Sequence, residues 1–431
     1  MHRLVRKTLA LAALAALPIA LPVIGHLVRH RLVPQPRGMV LGLYAGLPDY
    51  DYRAELDRIA AAGARCVSLQ AIYRMDTGRS CEIRRHPTSS PTEASLRRTF
   101  REARADQLRV MFFPTINIRE EAEDARWWRG NIEPADWDLW WRDYTRFNVH
   151  LARIAQEEGV EWYSVGTEMA STHRFPDRWR GLVAEVRKVF KGKVVYSVNF
   201  DSHDSFTFGD CLDVIGMNTY DPIAKLGAKQ DTCPTPGQVR DEWWWIVNKA
   251  RTLQARFQRP VMITEVGYPS VARANAGPWD FRTERPADPG LQESLLEGAF
   301  GVLRNWSDGA AVFYYLYGEN LDRKPVGGPG DRTYAVWGKP AEATLRAYFA
   351  LPIFEGQRPL GPADEREAVL QSLVGALRKV RDYQDASIPP WVQDWMAAHP
   401  ADRAEAERIL AQEPVPAHKI PKGKEWLEAR L

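Results

Sequence analysis

The 431-residue chain carries 58 Lys and Arg against 55 Asp and Glu, a net charge of +3, and so lacks the concentrated positive charge with which nucleic-acid binders neutralise phosphate. Its 45% hydrophobic and 26% charged residues are those of a globular protein and exclude a largely disordered chain. The 16 Trp outnumber both the 15 Phe and the 15 Tyr, a surplus of the residue that fills cores and also stacks its flat apolar face on sugar rings.

In chain order, residues 1–37 begin with Arg3, Arg6 and Lys7, followed by an uncharged stretch from Thr8 to Val28. This is the layout of a signal anchor or, as the second expectation, a cleaved signal peptide. Either reading places the remainder outside the cytoplasm, periplasmic or secreted, with membrane attachment through this segment expected in the first case. From residue 39 the sequence alternates eight apolar runs with amphipathic stretches. The runs are 39–45, 66–73, 109–117, 162–169, 194–200, 214–222, 260–268 and 310–318. Most are apolar on both faces, as parallel strands are when helices cover one side and a barrel interior the other.

Helical patterns occupy 52–64, 91–107, 134–158, 176–190, 238–257, 291–306 and 340–349, while the link between the fifth and sixth runs is short for a full helix. In the stretch 134–158, Trp137, Trp140, Trp141, Tyr144, Phe147, Leu151 and Ile154 recur every three or four residues and share one face. Pro134 suits its first turn and Gly159 its stop. The alternation predicts an α/β fold, a (β/α)8 TIM barrel over residues 38–350. A doubly wound open sheet is the alternative, but no GxGxxG follows the first run. Residues 351–431 turn rich in Pro, Ala, Glu and Arg, with helical periodicity at 363–383 and around 403–412. They read as a small helical appendage packed on the barrel.

Cys66, Cys81, Cys211 and Cys233 form no CxxC pair, which argues against a zinc knuckle. Cys66 reads as a buried thiol, and a Cys211–Cys233 bridge stays open. Asp201, His203 and Asp204 lie close together but without further ligand spacing, so a solvated loop is favoured over a metal site. No metal or organic cofactor is expected. Of Trp243, Trp244 and Trp245, at most two can face the core of a helix.

Barrel chemistry sits at the C-terminal ends of the strands. Glu168 ends the fourth run and Glu265 the seventh, 97 residues apart, on nearly opposite walls of an eight-stranded ring. An acid inside an apolar strand end is costly unless it has a partner or a task. Two carboxylates roughly 5–5.5 Å apart are the apparatus of a retaining glycosidase.

Several segments then carry a family resemblance: RHPTSSPTEASL (85–96), WRGNI (128–132), VGTEMASTHR (165–174), SVNFDS (197–202), LDVIGMNTYDP (212–222) and ITEVGYPS (263–270), extended by Pro278–Trp279 and Gln292. Residues 39–350 resemble clan A glycoside hydrolases, and most closely glycoside hydrolase family 113, whose members are endo-β-mannanases. The resemblance implies a retaining, cofactor-free glycosidase with Glu168 as general acid/base and Glu265 as nucleophile. It also implies that Tyr220 hydrogen-bonds the nucleophile and that Trp128, Arg129 and Asn199 lie near the substrate, with Trp279 as a further contact. Family members tend to carry His and Asp where this chain has Thr115 and Asn117, and Trp where it has Phe200. The eighth run offers Tyr315 and Tyr317 as sugar platforms in place of Trp. These departures leave the sugar open. The expected partner is a polysaccharide or oligosaccharide bound by a monomer, and the rival expectations are a glycan-binding barrel that no longer cleaves and a transglycosylase.

Overall fold

The computed structural model describes residues 35–118, 127–223, 234–280, 284–306, 309–318, 326–350, 362–382, 387–413 and 415. The predicted signal segment and Cys233 lie outside these residues, as does most of the N-terminal 37. Among the described residues no helix is long and apolar enough to cross a membrane.

Eight parallel strands close into a ring: β1 (Arg37–Gly42), β2 (Cys66–Met75), β3 (Arg109–Ile118), β4 (Trp162–Thr167), β5 (Lys193–Asn199), β6 (Val214–Thr219), β7 (Val261–Val266) and β8 (Val312–Tyr314). Closure is direct, because β1 pairs in parallel with both β2 and β8. Arg84–Arg85 adds a short antiparallel rung to the far end of β2.

Each strand sends alternate residues inward and outward. Val40, Cys66, Met111, Phe113, Trp162, Val195, Val214, Met262 and Phe313 fill the barrel interior, where Trp162 meets Phe313 edge-on at 6.4 Å. Their neighbours, such as Met39, Val67, Val110, Phe112 and Ile215, join the larger core beneath the helices. Cys66 is the buried thiol its apolar context implies.

The outer layer comprises α1 (Arg53–Ala61), α2 (Glu93–Ala105), α3 (Trp137–Glu157), α4 (Pro176–Val189), α5 (Pro236–Phe257), α6 (Pro289–Leu303) and α7 (Pro340–Ala350). Between β5 and β6 only the 3-10 turn Gly209–Cys211 forms, as the short link predicts. In α3, Trp140, Trp141, Tyr144, Leu151 and Ile154 are buried on the predicted face. The helix starts later than Pro134 because the Asp136 carboxylate accepts from the backbone N–H groups of Asp138 and Leu139, at 2.8 and 3.0 Å, and caps the first turn. Of the α5 tryptophans, Trp243 is buried while Trp244 and Trp245 are exposed.

Three further helices follow: α8 (Pro362–Asp382), α9 (Pro390–Ala398) and α10 (Pro400–Ala411). Val369, Leu373, Val374, Val392, Met396 and Ala406 form a core of their own that reaches the barrel through Ala255 of α5. The hydroxyls of Thr252 and Ser372 meet at 2.6 Å along the same seam.

Candidate active site

The ends of β4–β7 assemble the site. Glu168 directly follows β4 and adopts a left-handed backbone with φ +56°, an uncommon conformation for a residue with a Cβ and one that recurs at functional positions. Its N–H donates to the Ser197 carbonyl at 2.8 Å, which fixes the turn against β5. The next N–H, of Met169, donates to the Tyr196 hydroxyl at 3.0 Å. His173 backs that hydroxyl at 2.9 Å. Burial pushes the His173 imidazole down to about 3, so it stays neutral as a buried support of the Glu168 turn.

Glu265 lies inside β7, where the sheet register pairs it with Asn218 of β6, itself paired with Asn199 of β5. Gly267, two residues on, is required by packing: a Cβ there would sit 2.0 Å from the Tyr315 carbonyl oxygen, so only glycine lets the ends of β7 and β8 approach.

Both acids are 6% exposed, and burying them would be prohibitive without partners. Glu265 accepts from the Tyr220 hydroxyl at 2.6 Å on one oxygen and from the Gln70 amide at 3.1 Å on the other. Glu168 accepts from the Asn218 amide at 2.8 Å and faces the Arg129 guanidinium at 3.2 Å. The Thr264 hydroxyl donates to the Asn218 oxygen at 2.7 Å, which orients that amide so that its N–H points at Glu168. Burial, and after it the negative charge of Glu168, push the Glu265 carboxyl up to about 8. Glu265 therefore keeps a proton at neutral pH in the free enzyme. Burial and the adjacent Glu265 charge raise the Tyr220 phenol well above its ordinary value, so it remains a donor.

The other expected residues surround this centre. Asn117 on β3 accepts from Arg129 at 3.5 Å, and Trp128 packs its ring beside Gly130. Asn199, 5% exposed, donates to Asp201 at 2.8 Å. Trp279 stacks on Phe200, with ring centroids 5.4 Å apart and planes at 17°, and remains 41% exposed. Tyr315 stands edge-on to Tyr220 at 6.0 Å, whereas Tyr317 turns to Trp337 in the outer core. Sequence reasoning misses two residues of the site, Gln70 and Asn218. The signal for each is an amide inside an otherwise apolar strand. No group of three or more His, Cys, Asp and Glu able to hold a metal occurs among the described residues.

A closed (β/α)8 barrel with two buried glutamates meeting at its C-terminal mouth is the frame of a glycoside hydrolase. The model of Glycoside Hydrolase Family 113 matches residues 48–339, and the chain belongs to that family. Among solved structures, a GH113 β-mannanase from Alicyclobacillus acidocaldarius in complex with ManMIm is 24% identical, with a TM-score of 0.63 over 74% of this chain and 98% of its own. A GH113 β-1,4-mannanase is 25% identical, with a TM-score of 0.60 over 74% of this chain and all of its own. A GH5_18 variant from Streptomyces cattleya, in complex with Manb1-4GlcNAc, is 13% identical, with a TM-score of 0.53 over 90% of this chain and 98% of its own. Comparison with curated proteins yields no match.

Proposed function

We propose that the enzyme cleaves a β-linked, mannan-type polysaccharide with retention of configuration. Glu265 is the nucleophile. Its two oxygens each receive one neutral donor, Tyr220 and Gln70, which favour the ionised form there. In the substrate complex the proton that Glu265 holds in the free enzyme passes to Glu168 as the nucleophile ionises. Glu168 gives this proton to the departing glycosidic oxygen while Glu265 attacks the anomeric carbon and forms a covalent glycosyl-enzyme. Water then enters on the Glu168 side, gives its proton to that carboxylate and releases the sugar. The observation that carries this reading is the pair of buried carboxylates, each held by side-chain donors: Glu265 by Tyr220 and Gln70, Glu168 by Asn218 and Arg129.

Mannan as substrate is supported by the family and by the 25%-identical β-1,4-mannanase among the similar structures. Action outside the cytoplasm is supported by the basic start and the apolar stretch up to Val28. The test is reducing-end release from a panel of β-linked glycans by the wild type and by Glu265→Gln. The expected result is release from a β-mannan that the variant abolishes. Binding of glycans across the panel without release would show a non-hydrolytic barrel instead.

A further inference from the structure

We infer that the three C-terminal helices are a positioning element of the glycan-binding wall. This rests on the glycosidase reading and deepens it. The family match ends at residue 339, so α8–α10 lie beyond it. They nevertheless touch the loop that leaves β5. The Trp391 indole on α9 donates to the Asp204 carboxylate at 3.0 Å, and Arg256 of α5 lies over the same ring at 4.5 Å.

The loop from Phe200 to Phe206 is held from behind at four points. Lys249 donates to the Phe200 carbonyl at 3.2 Å. Arg256 donates to the carbonyls of His203 and Phe206, at 3.0 and 2.8 Å. Trp391 holds Asp204. The front of the loop carries Phe200, on which the exposed Trp279 ring stacks. This face is an apolar platform that begins directly after Asn199, and a flat indole of that exposure suits a pyranose ring away from the bond being cut. The contact at Asp204 is charge-assisted and therefore of the stronger kind. Losing it frees the side of the loop opposite the platform without touching Glu168, Glu265 or their donors. The appendage thus acts through Phe200 and Trp279 on binding of extended glycans, and leaves bond cleavage itself alone.

The variants Trp391→Phe, which keeps an aromatic ring without the N–H, and Asp204→Asn, which keeps the volume of the side chain, weaken this contact. With β-1,4-mannohexaose as probe, each is expected to raise KM about three- to tenfold, with kcat unchanged. With 4-nitrophenyl β-mannoside, which carries one sugar, both parameters stay within about twofold of the wild type. Phe200→Ala reproduces the hexaose pattern, and combining it with Trp391→Phe adds little, because both act on one platform. Amide hydrogen exchange at residues 200–206 rises in Trp391→Phe without glycan. An unchanged hexaose KM, equal losses on both substrates, or unchanged exchange in the loop would overturn the inference. If the wild type neither binds nor cleaves either probe, mannan as substrate falls, and the exchange comparison still decides whether α9 holds the loop.

Discussion

Replacing the two donors on Glu265 tests how the pair is poised. Tyr220→Phe deletes a 2.6 Å hydrogen bond and Gln70→Leu one of 3.1 Å. A hydrogen bond to a charged partner contributes about 1.5–3 kcal/mol. The shorter phenol bond belongs at the upper end of that range, a loss of about 100-fold in kcat/KM, and the amide at the lower end, a loss of about tenfold. Both donors pull the Glu265 carboxyl down against burial and the charge of Glu168, so deleting either raises it. The assay is the pH profile of kcat/KM on a soluble β-mannoside. In the wild type Glu265 loses its proton, and the alkaline limb falls, near pH 8, the value to which that carboxyl is pushed. Each variant moves the alkaline limb to higher pH, Tyr220→Phe further than Gln70→Leu. A profile that drops in height without moving, or a loss confined to KM, would refute the assignment of these donors to the nucleophile.

Two further outcomes follow from the same geometry. Between the ordinary carboxyl value of 4.5 and about 8, the folded protein keeps a proton on Glu265 that the unfolded chain has released, so this residue lowers stability progressively as pH rises through that window. Glu265→Gln removes the effect, and its melting temperature, measured by calorimetry from pH 4 to about pH 9, is expected to equal that of the wild type at the acid end and exceed it at the alkaline end. A constant difference across the range would contradict the raised carboxyl. Asn218→Ala removes the amide that Thr264 aims at Glu168. It is expected to slow substrates with sugar leaving groups about tenfold and 2,4-dinitrophenyl glycosides much less, since these leave without a proton. Equal slowing of both would detach Asn218 from the proton donor.

The barrel is legible in the sequence because its signal is repeated. Eight apolar runs, most of them apolar on both faces, and their amphipathic partners each reinforce the same period, and even the missing helix before β6 shows as a short link. Glu168 and Glu265 stand out because an acid at an apolar strand end is conspicuous, whereas Tyr220 is picked out by the family resemblance. Gln70 and Asn218 escape notice, because a neutral amide in a strand costs little by itself and acquires meaning only from sheet register, which pairs Asn218 with Glu265. Pro134 suggests a helix start that Asp136 overrides, since a carboxylate satisfying two free N–H groups outweighs proline's preset φ. The supporting role of His173 has no local signal, because its environment, Tyr196, Phe206 and Phe208, is gathered from β5 and the loop after it. The hold of Trp391 on Asp204 spans 187 residues and leaves no local pattern.

The central claim is that Glu265 attacks the sugar and Glu168 serves the proton. Incubation with a 2-deoxy-2-fluoro β-mannosyl fluoride, followed by peptide mass spectrometry, reads the attacked atom directly. The predicted result is one fluoromannosyl adduct on the peptide containing Glu265, formed also in Glu168→Gln and absent from Glu265→Gln. An adduct on Glu168 or on any other residue, or inversion of the anomeric centre in the first-formed product, would contradict it.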